Sequence, residues 1–144
     1  MALLLSAVLK INAKMAELNI VLDASALLAL LLRENGAARV EAAFEHNVFL
    51  STVNFAEVIG FAERNGLLAE DVRHAVLALP LQIVVFDENT ALETGKLTNI
   101  GQSIGLSLGD RACIATAKLL GAEAWTADKA WTRLHAGITI KLVR

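Results

Sequence analysis

Four carboxylates in this sequence stand apart from the other acidic residues by isolation or by position: Asp23, Glu57, Asp110 and Asp128. Asp23 ends the apolar run at 19–22 and is the only charged residue between Glu17 and Arg33. Glu57 is the one charge before Glu63 in a helix expected from about residue 53; its helical neighbours are Val53, Asn54, Gly60 and Phe61. Asp110 falls three residues after Ser107, at the positive end of a helix, and Asp128 lies just past a short apolar run at 122–126. Carboxylate oxygens are the ligands that Mg²⁺ and Mn²⁺ prefer, with water completing the shell. Such an ion lowers the pKa of a bound water, orients it on a phosphodiester and neutralises the charge that builds during displacement. Each acid also has a local role open to it. Ser107 with Asp110 is a capping arrangement, Asp23 can cap the next helix, and Asp128 can be a turn residue. Ser25 and Thr126 stand beside Asp23 and Asp128 as supporting hydroxyls, although Ser25 serves equally well as a helix cap. Arg111 is a candidate phosphate contact, and an equally good surface charge.

These residues need elements to hold them. Residues 19–22 read as a buried strand, and 26–32 as a helix that is apolar on every face. One side of that helix must meet the sheet, and the other is expected to meet a second protein chain. An amphipathic helix over 37–46, a strand at 48–50 and a helix at 53–64 follow, the last capped by Ser51 or Thr52. A helix over 69–79 is stopped by Pro80, the only proline. Residues 82–86 read as a strand, and Asp87-Glu88 open a helix running towards Ser103. The helix after Ser107 ends at Gly121. A short helix at 131–135 and an edge strand at 138–143 complete the chain. Strands alternating with helices predict a largely parallel sheet of about five strands, covered by helices on both faces. In such a sheet, ligands sit beyond the carboxyl ends of the strands, where all four carboxylates fall.

Length and composition bound the alternatives. The 144 residues make one domain with a real core, expected over 19–144. Residues 1–18, with a second start at Met15, read as an extension outside the fold. No basic n-region or cleavage site marks residues 2–9 as a signal peptide, and no apolar run reaches the ~20 residues of a membrane span. Hydrophobic residues make up 56% and the mean hydropathy is +0.54, an excess that a subunit or partner interface would absorb. A net charge of −2 announces no global nucleic-acid field, so any RNA contact must come from local clusters among 13 Lys and Arg. The single Cys113 excludes an internal disulfide, fits a reducing cytoplasm and sits on an apolar helix face as a packing residue. His46, His74 and His135 share no spacing, which leaves a histidine metal site or triad unsupported. Asp87 and Glu88 also follow a strand, but they stand where a helix start wants acids.

The segments IVLDASALLALL, STVNFAEV and SLGDRACIATAKLLGAEAWTADKAW, in that order, resemble a PIN-domain ribonuclease, nearest to the VapC-type toxins of toxin–antitoxin pairs. The resemblance runs in register from about residue 19 to the C-terminus. It implies a PIN-like three-layer α/β sandwich and Mg²⁺- or Mn²⁺-dependent cleavage of RNA. It also implies a homodimer and a cognate antitoxin that blocks the site. The family's acidic site maps onto Asp23, Glu57, Asp110 and Asp128, with Ser25 and Thr126 in support. Two other Mg²⁺-binding α/β classes compete. A receiver domain needs an acidic pair near the first strand and a lysine after a late one, and would leave Glu57 and Asp110 idle. A dehalogenase-type phosphatase needs an aspartate where Ser25 stands. A catalytically silent PIN-fold binding module is the third alternative.

Overall fold

The computed structural model describes residues 1–15 and 17–144, with side chains described outside 10–16. The described residues form five strands: β1 (Asn19–Leu22), β2 (Asn47–Ser51), β3 (Leu81–Val84), β4 (Glu123–Thr126) and β5 (Ile140–Leu142). All neighbouring pairs are parallel, in the order β3-β2-β1-β4-β5. Helices fill the connections: α1 (Ala2–Met15), α2 (Ala24–Leu31), α3 (Ala37–Ala43), α4 (Thr52–Arg64), α5 (Ala69–Leu77), α6 (Glu88–Lys96), α7 (Thr98–Gln102) and α8 (Leu108–Leu120). A 3₁₀ turn covers Lys129–Arg133.

The three layers follow from β1. Its Ile20 and Leu22 point to one face, where Leu27 and Leu30 of α2, Val40 of α3, Val58 of α4 and Val76 of α5 close over them. Val21 points to the other face, among Cys113, Ile114 and Ala117 of α8, Leu97, Leu106 and Trp131. Ile20, Val21 and Leu22 are all fully buried. Each such side chain contributes about 1.5–3 kcal/mol, which no isolated strand of four residues could gain. The strand ends at Asp23 because a carboxylate one position further in would be buried between two apolar layers without partners. The Asp23 N–H still closes the ladder, donating to the Trp125 carbonyl at 3.0 Å.

Several expectations shift in detail. The helix expected from Asp87 towards Ser103 is two helices. It tightens at Leu97, whose N–H turns back to the Thr94 carbonyl as its side chain sinks into the α8 layer. The third strand starts one residue early, at Leu81, and leaves Val85 exposed. The helix before Pro80 ends at Leu77. Ser25 is not the cap of α2. Asp23 is, accepting from the Ala26 N–H at 2.8 Å, and Ser25 lies inside the first turn. The apolar helix α2 buries Ala26, Leu27, Ala29 and Leu30. Its Leu28 and Leu31 are only half-buried, and Leu32 is exposed; with Val58, Phe61 and Val72 they line an apolar groove.

In α1, the described side chains of Leu3, Leu4, Leu5, Val8 and Leu9 are all exposed. Residue 16, within the stretch expected to lie outside the domain, is outside the described residues. Exposed leucines contribute little to folding, so a chain that begins at Met15 is expected to melt within a few degrees of the full one. A larger drop in a thermal scan would mean that α1 packs on the domain.

Candidate active site

From β1 the chain runs outward through β2 to β3, then returns to lay β4 against the opposite edge of β1. The crevice between β1 and β4 is the point where the winding reverses, and it opens beyond their carboxyl ends. Asp23 follows β1 directly and Asp128 follows β4. Glu57 comes from the second turn of α4 and Asp110 from the first turn of α8. All four line one cavity of about 260 Å³, with Ala24, Ser25, Leu28, Phe61 and Arg64.

Asp23 is the structural centre. Ser25 Oγ donates to Asp23 Oδ1 at 2.8 Å, and Thr126 Oγ1 donates to Oδ2 at 2.5 Å. The same two hydroxyls accept from the segment that follows β4: Ala127 N–H on Ser25 Oγ at 2.9 Å, and Asp128 N–H on Thr126 Oγ1 at 3.0 Å. Ser25 and Thr126 thus tie β1 to β4 and hold Asp23 in place. Burial raises the Asp23 pKa to about 6, against the three hydrogen bonds that lower it; the charge of Asp110 adds to the rise. Glu57 is also raised, first by burial and again by Asp110, with the Asn54 hydrogen bond opposing. Burial pushes the thiol of Cys113 well up, and the charges of Asp23, Asp110 and Glu57 push it further, so this buried cysteine is an inert packing residue.

The local roles open to Asp110 and Asp128 are real. Asp110 Oδ2 accepts from the Ser107 N–H at 2.9 Å while Ser107 Oγ accepts from the Asp110 N–H at 3.1 Å, a complete capping box. Asp128 Oδ1 accepts from Ala130 N–H at 2.9 Å and starts the 3₁₀ turn. Each cap occupies one oxygen and leaves the second without a protein donor among the described residues. As the side chains stand, no three His, Cys, Asp or Glu among the described residues are close enough to hold a metal ion together. Four carboxylates around one cavity, with oxygens unspent, are nevertheless the donor chemistry of a hard divalent cation.

Two residues at the site carried no functional signal in the sequence. Asn54 is fully buried, and its Nδ2 donates to Glu57 Oε2 at 2.8 Å and to the Gly109 carbonyl at 3.1 Å. Gly109, in the first turn of α8, lies directly against the Glu57 carboxyl, where a Cβ would collide with it. The signal for Gly109 existed only as its place beside Asp110. Arg111 turns away from the cavity. Its Nη1 donates to Thr98 Oγ1 at 3.0 Å and to the Thr94 carbonyl at 3.3 Å, because that face of α8 packs on α6. The arginine on the cavity wall is Arg64. Asp87 caps α6 through Thr90, as its position predicts, and stays out of the cavity.

The PIN domain family profile matches residues 20–136. The chain belongs to the PIN domain family. No curated protein sequence matches it. Among solved structures, this PIN domain is similar to a toxin–antitoxin complex from Klebsiella pneumoniae, with a TM-score of 0.67 at 22% identity over 87% of this chain and 98% of that one. It is also similar to VapC20 of Mycobacterium tuberculosis, described as a sarcin-ricin loop cleaving toxin, with a TM-score of 0.70 at 18% identity over 83% and 96%. A third is the DNA-bound VapBC of Salmonella typhimurium, with a TM-score of 0.65 at 20% identity over 88% and 99%. At these identities the shared property is the fold. Membership in the PIN family sets aside the receiver and dehalogenase-type alternatives. The PIN match contains all four carboxylates and begins after α1.

Proposed function

We propose that this PIN domain is the toxin of a toxin–antitoxin pair and an endoribonuclease that hydrolyses RNA phosphodiester bonds with a metal-activated water. The observation that carries the reading is the cavity at the β1/β4 switch point, lined by Asp23, Glu57, Asp110 and Asp128. Those four residues would hold Mg²⁺ or Mn²⁺, Glu57 directly or through a water. When bound, such an ion supplies an acidified water and neutralises charge on the phosphate. The chain does the rest. Ser25 and Thr126 keep the Asp23 carboxylate fixed, the caps of α8 and of the 3₁₀ turn fix Asp110 and Asp128, and Glu57 orients the attacking water. Relatives of the same fold that occur as toxin–antitoxin complexes support a cognate antitoxin, and the one described as cleaving the sarcin-ricin loop supports RNA as substrate. The half-open apolar groove along Leu28, Leu31 and Phe61 supports a protein partner, an antitoxin or a second copy in a homodimer. The reading places the protein in the cytoplasm, with its RNA.

The test is cleavage of a panel of RNAs by purified protein with Mg²⁺ or Mn²⁺, and its arrest by EDTA. Cleavage undiminished in excess chelator would end the metal mechanism. A protein that binds Mn²⁺ and its antitoxin yet cuts nothing on the panel would favour the silent binding module.

The Gly109 contact offers a separate check. In Gly109→Ala, Glu57 must swing off its bond to Asn54, a loss of about 1 kcal/mol, while alanine returns about 0.5–1 kcal/mol of helix propensity. Urea stability is therefore expected to stay within ~1 kcal/mol of wild type. Mn²⁺ affinity, read by calorimetry, should fall because one ligand has moved. Unchanged affinity would remove Glu57 from the ligand set.

A further inference from the structure

We propose that Arg64 is the phosphate-binding residue of the cavity, placed to take the non-bridging oxygens of an RNA phosphodiester beside the carboxylates. The proposal rests on the nuclease reading above and adds to it the group that admits a polyanion into an acidic site. Arg64 is the one cationic side chain among the described residues lining that cavity. Its position is set by helical spacing. Glu57, Gly60, Phe61 and Arg64 stand at i, i+3, i+4 and i+7 of α4, and so share one face. Gly60 has no side chain to fill the space between. A Cβ there would come within 3.4 Å of Arg64 Nη1, so the guanidinium folds back along the helix over residue 60, towards Glu57. Arg64 forms no ion pair among the described residues. Arg111, by contrast, has its guanidinium engaged on α6 and α7.

The chemistry needs such a group. Four carboxylates repel an approaching phosphodiester, and a bound divalent ion offsets only part of their charge. A guanidinium on the wall supplies a planar fork of donors that matches two phosphate oxygens, a geometry a lysine ammonium lacks. The competing role for Arg64 is local, since it sits in the last turn of α4, where a positive charge complements the helix dipole. Lysine would serve that role equally well, which separates the two by experiment.

The probe is a fluorescein-labelled 12-nucleotide oligouridylate, bound to the full chain in EDTA and followed by anisotropy across a salt series. Arg64→Gln is expected to weaken binding about tenfold at low salt, and to reduce the slope of log K against log salt by about 0.7, one single-strand phosphate contact. Arg64→Lys should recover the slope but only part of the affinity. Mn²⁺ affinity by calorimetry should not fall in either variant. Oligonucleotide affinity and slope that match wild type in Arg64→Gln would overturn the proposal, while metal-dependent cleavage by that variant would leave the nuclease reading standing. A variant that melts lower and loses Mn²⁺ affinity in parallel would assign Arg64 to the helix end instead. Wild-type protein that neither binds the oligonucleotide nor cuts any RNA would overturn both.

Discussion

Asp110→Asn is expected to unfold at a higher urea concentration than wild type in EDTA at pH 8, and to lose cleavage by at least ~100-fold, about 2.7 kcal/mol of transition-state stabilisation. Two effects of the substitution oppose each other. Asp110 closes the capping box of α8, and its charge sits at the positive end of that helix. The amide of Asn keeps a carbonyl for the Ser107 N–H, so the box survives and only the charge is lost, at about 0.3–1 kcal/mol. On the other side, the Asp110 charge raises the pKa of both Asp23 and Glu57, so it repels each of them across the cavity. The variant relieves a repulsion on the order of 1 kcal/mol with each, the size expected for neighbouring unit charges at an effective dielectric of ~20–40. Relief therefore exceeds the lost helix term, and a net gain of about 1 kcal/mol is expected. A less stable, fully active variant would reduce Asp110 to a helix cap and remove it from the site.

The second large effect is a pH dependence centred on Asp23. Its carboxyl is raised from 3.8 to about 6, chiefly by burial. Between those values the folded protein holds a proton that the unfolded chain releases. The resulting stability is fully present below pH 3.8 and is lost as pH rises through about 6. A shift of that size corresponds to about 3 kcal/mol. Glu57, raised in the same direction, adds to the trend. Metal-free protein should thus be less stable at pH 7 than at pH 5, once compared with Asp23→Asn, which cannot titrate. Urea unfolding in EDTA at several pH values, for wild type and variant, measures the difference. Parallel profiles would show that Asp23 is ionised at little cost in the folded state. Where a metal is bound, the same proton competes with it, so affinity should weaken below pH ~6.

Much of this molecule was legible because its signals are local. Ser107, Asp110 and Gly121 bracket α8 as capping chemistry requires, and Asp87 starts α6 as a helix-opening acid should. The isolation of Asp23 and Glu57 marked them because an ionised side chain inside an apolar run must be explained by a partner or a ligand. The alternation of apolar runs with helices predicted a parallel sheet, and the quoted motifs resemble the family that the profile match then showed.

What remained hidden depends on contacts between distant segments. Ser25 was as good a candidate for a helix cap as for a supporting hydroxyl until β4 arrived, and its hydroxyl is held by Asp23 and by Ala127, 102 residues away. Asn54 and Gly109 are 55 positions apart, and only the packing of α4 on α8 makes one a clamp and the other a gap that Glu57 fills. The same packing decided between the two arginines. Arg111 adjoins Asp110 in sequence, but a residue one position further along a helix points about 100° away, and Arg111 is carried onto α6. Arg64 lies seven residues from Glu57, two turns along the same face, and reaches the cavity. Sequence adjacency marks residues that share a segment; helical phase and tertiary packing determine which of them share a site.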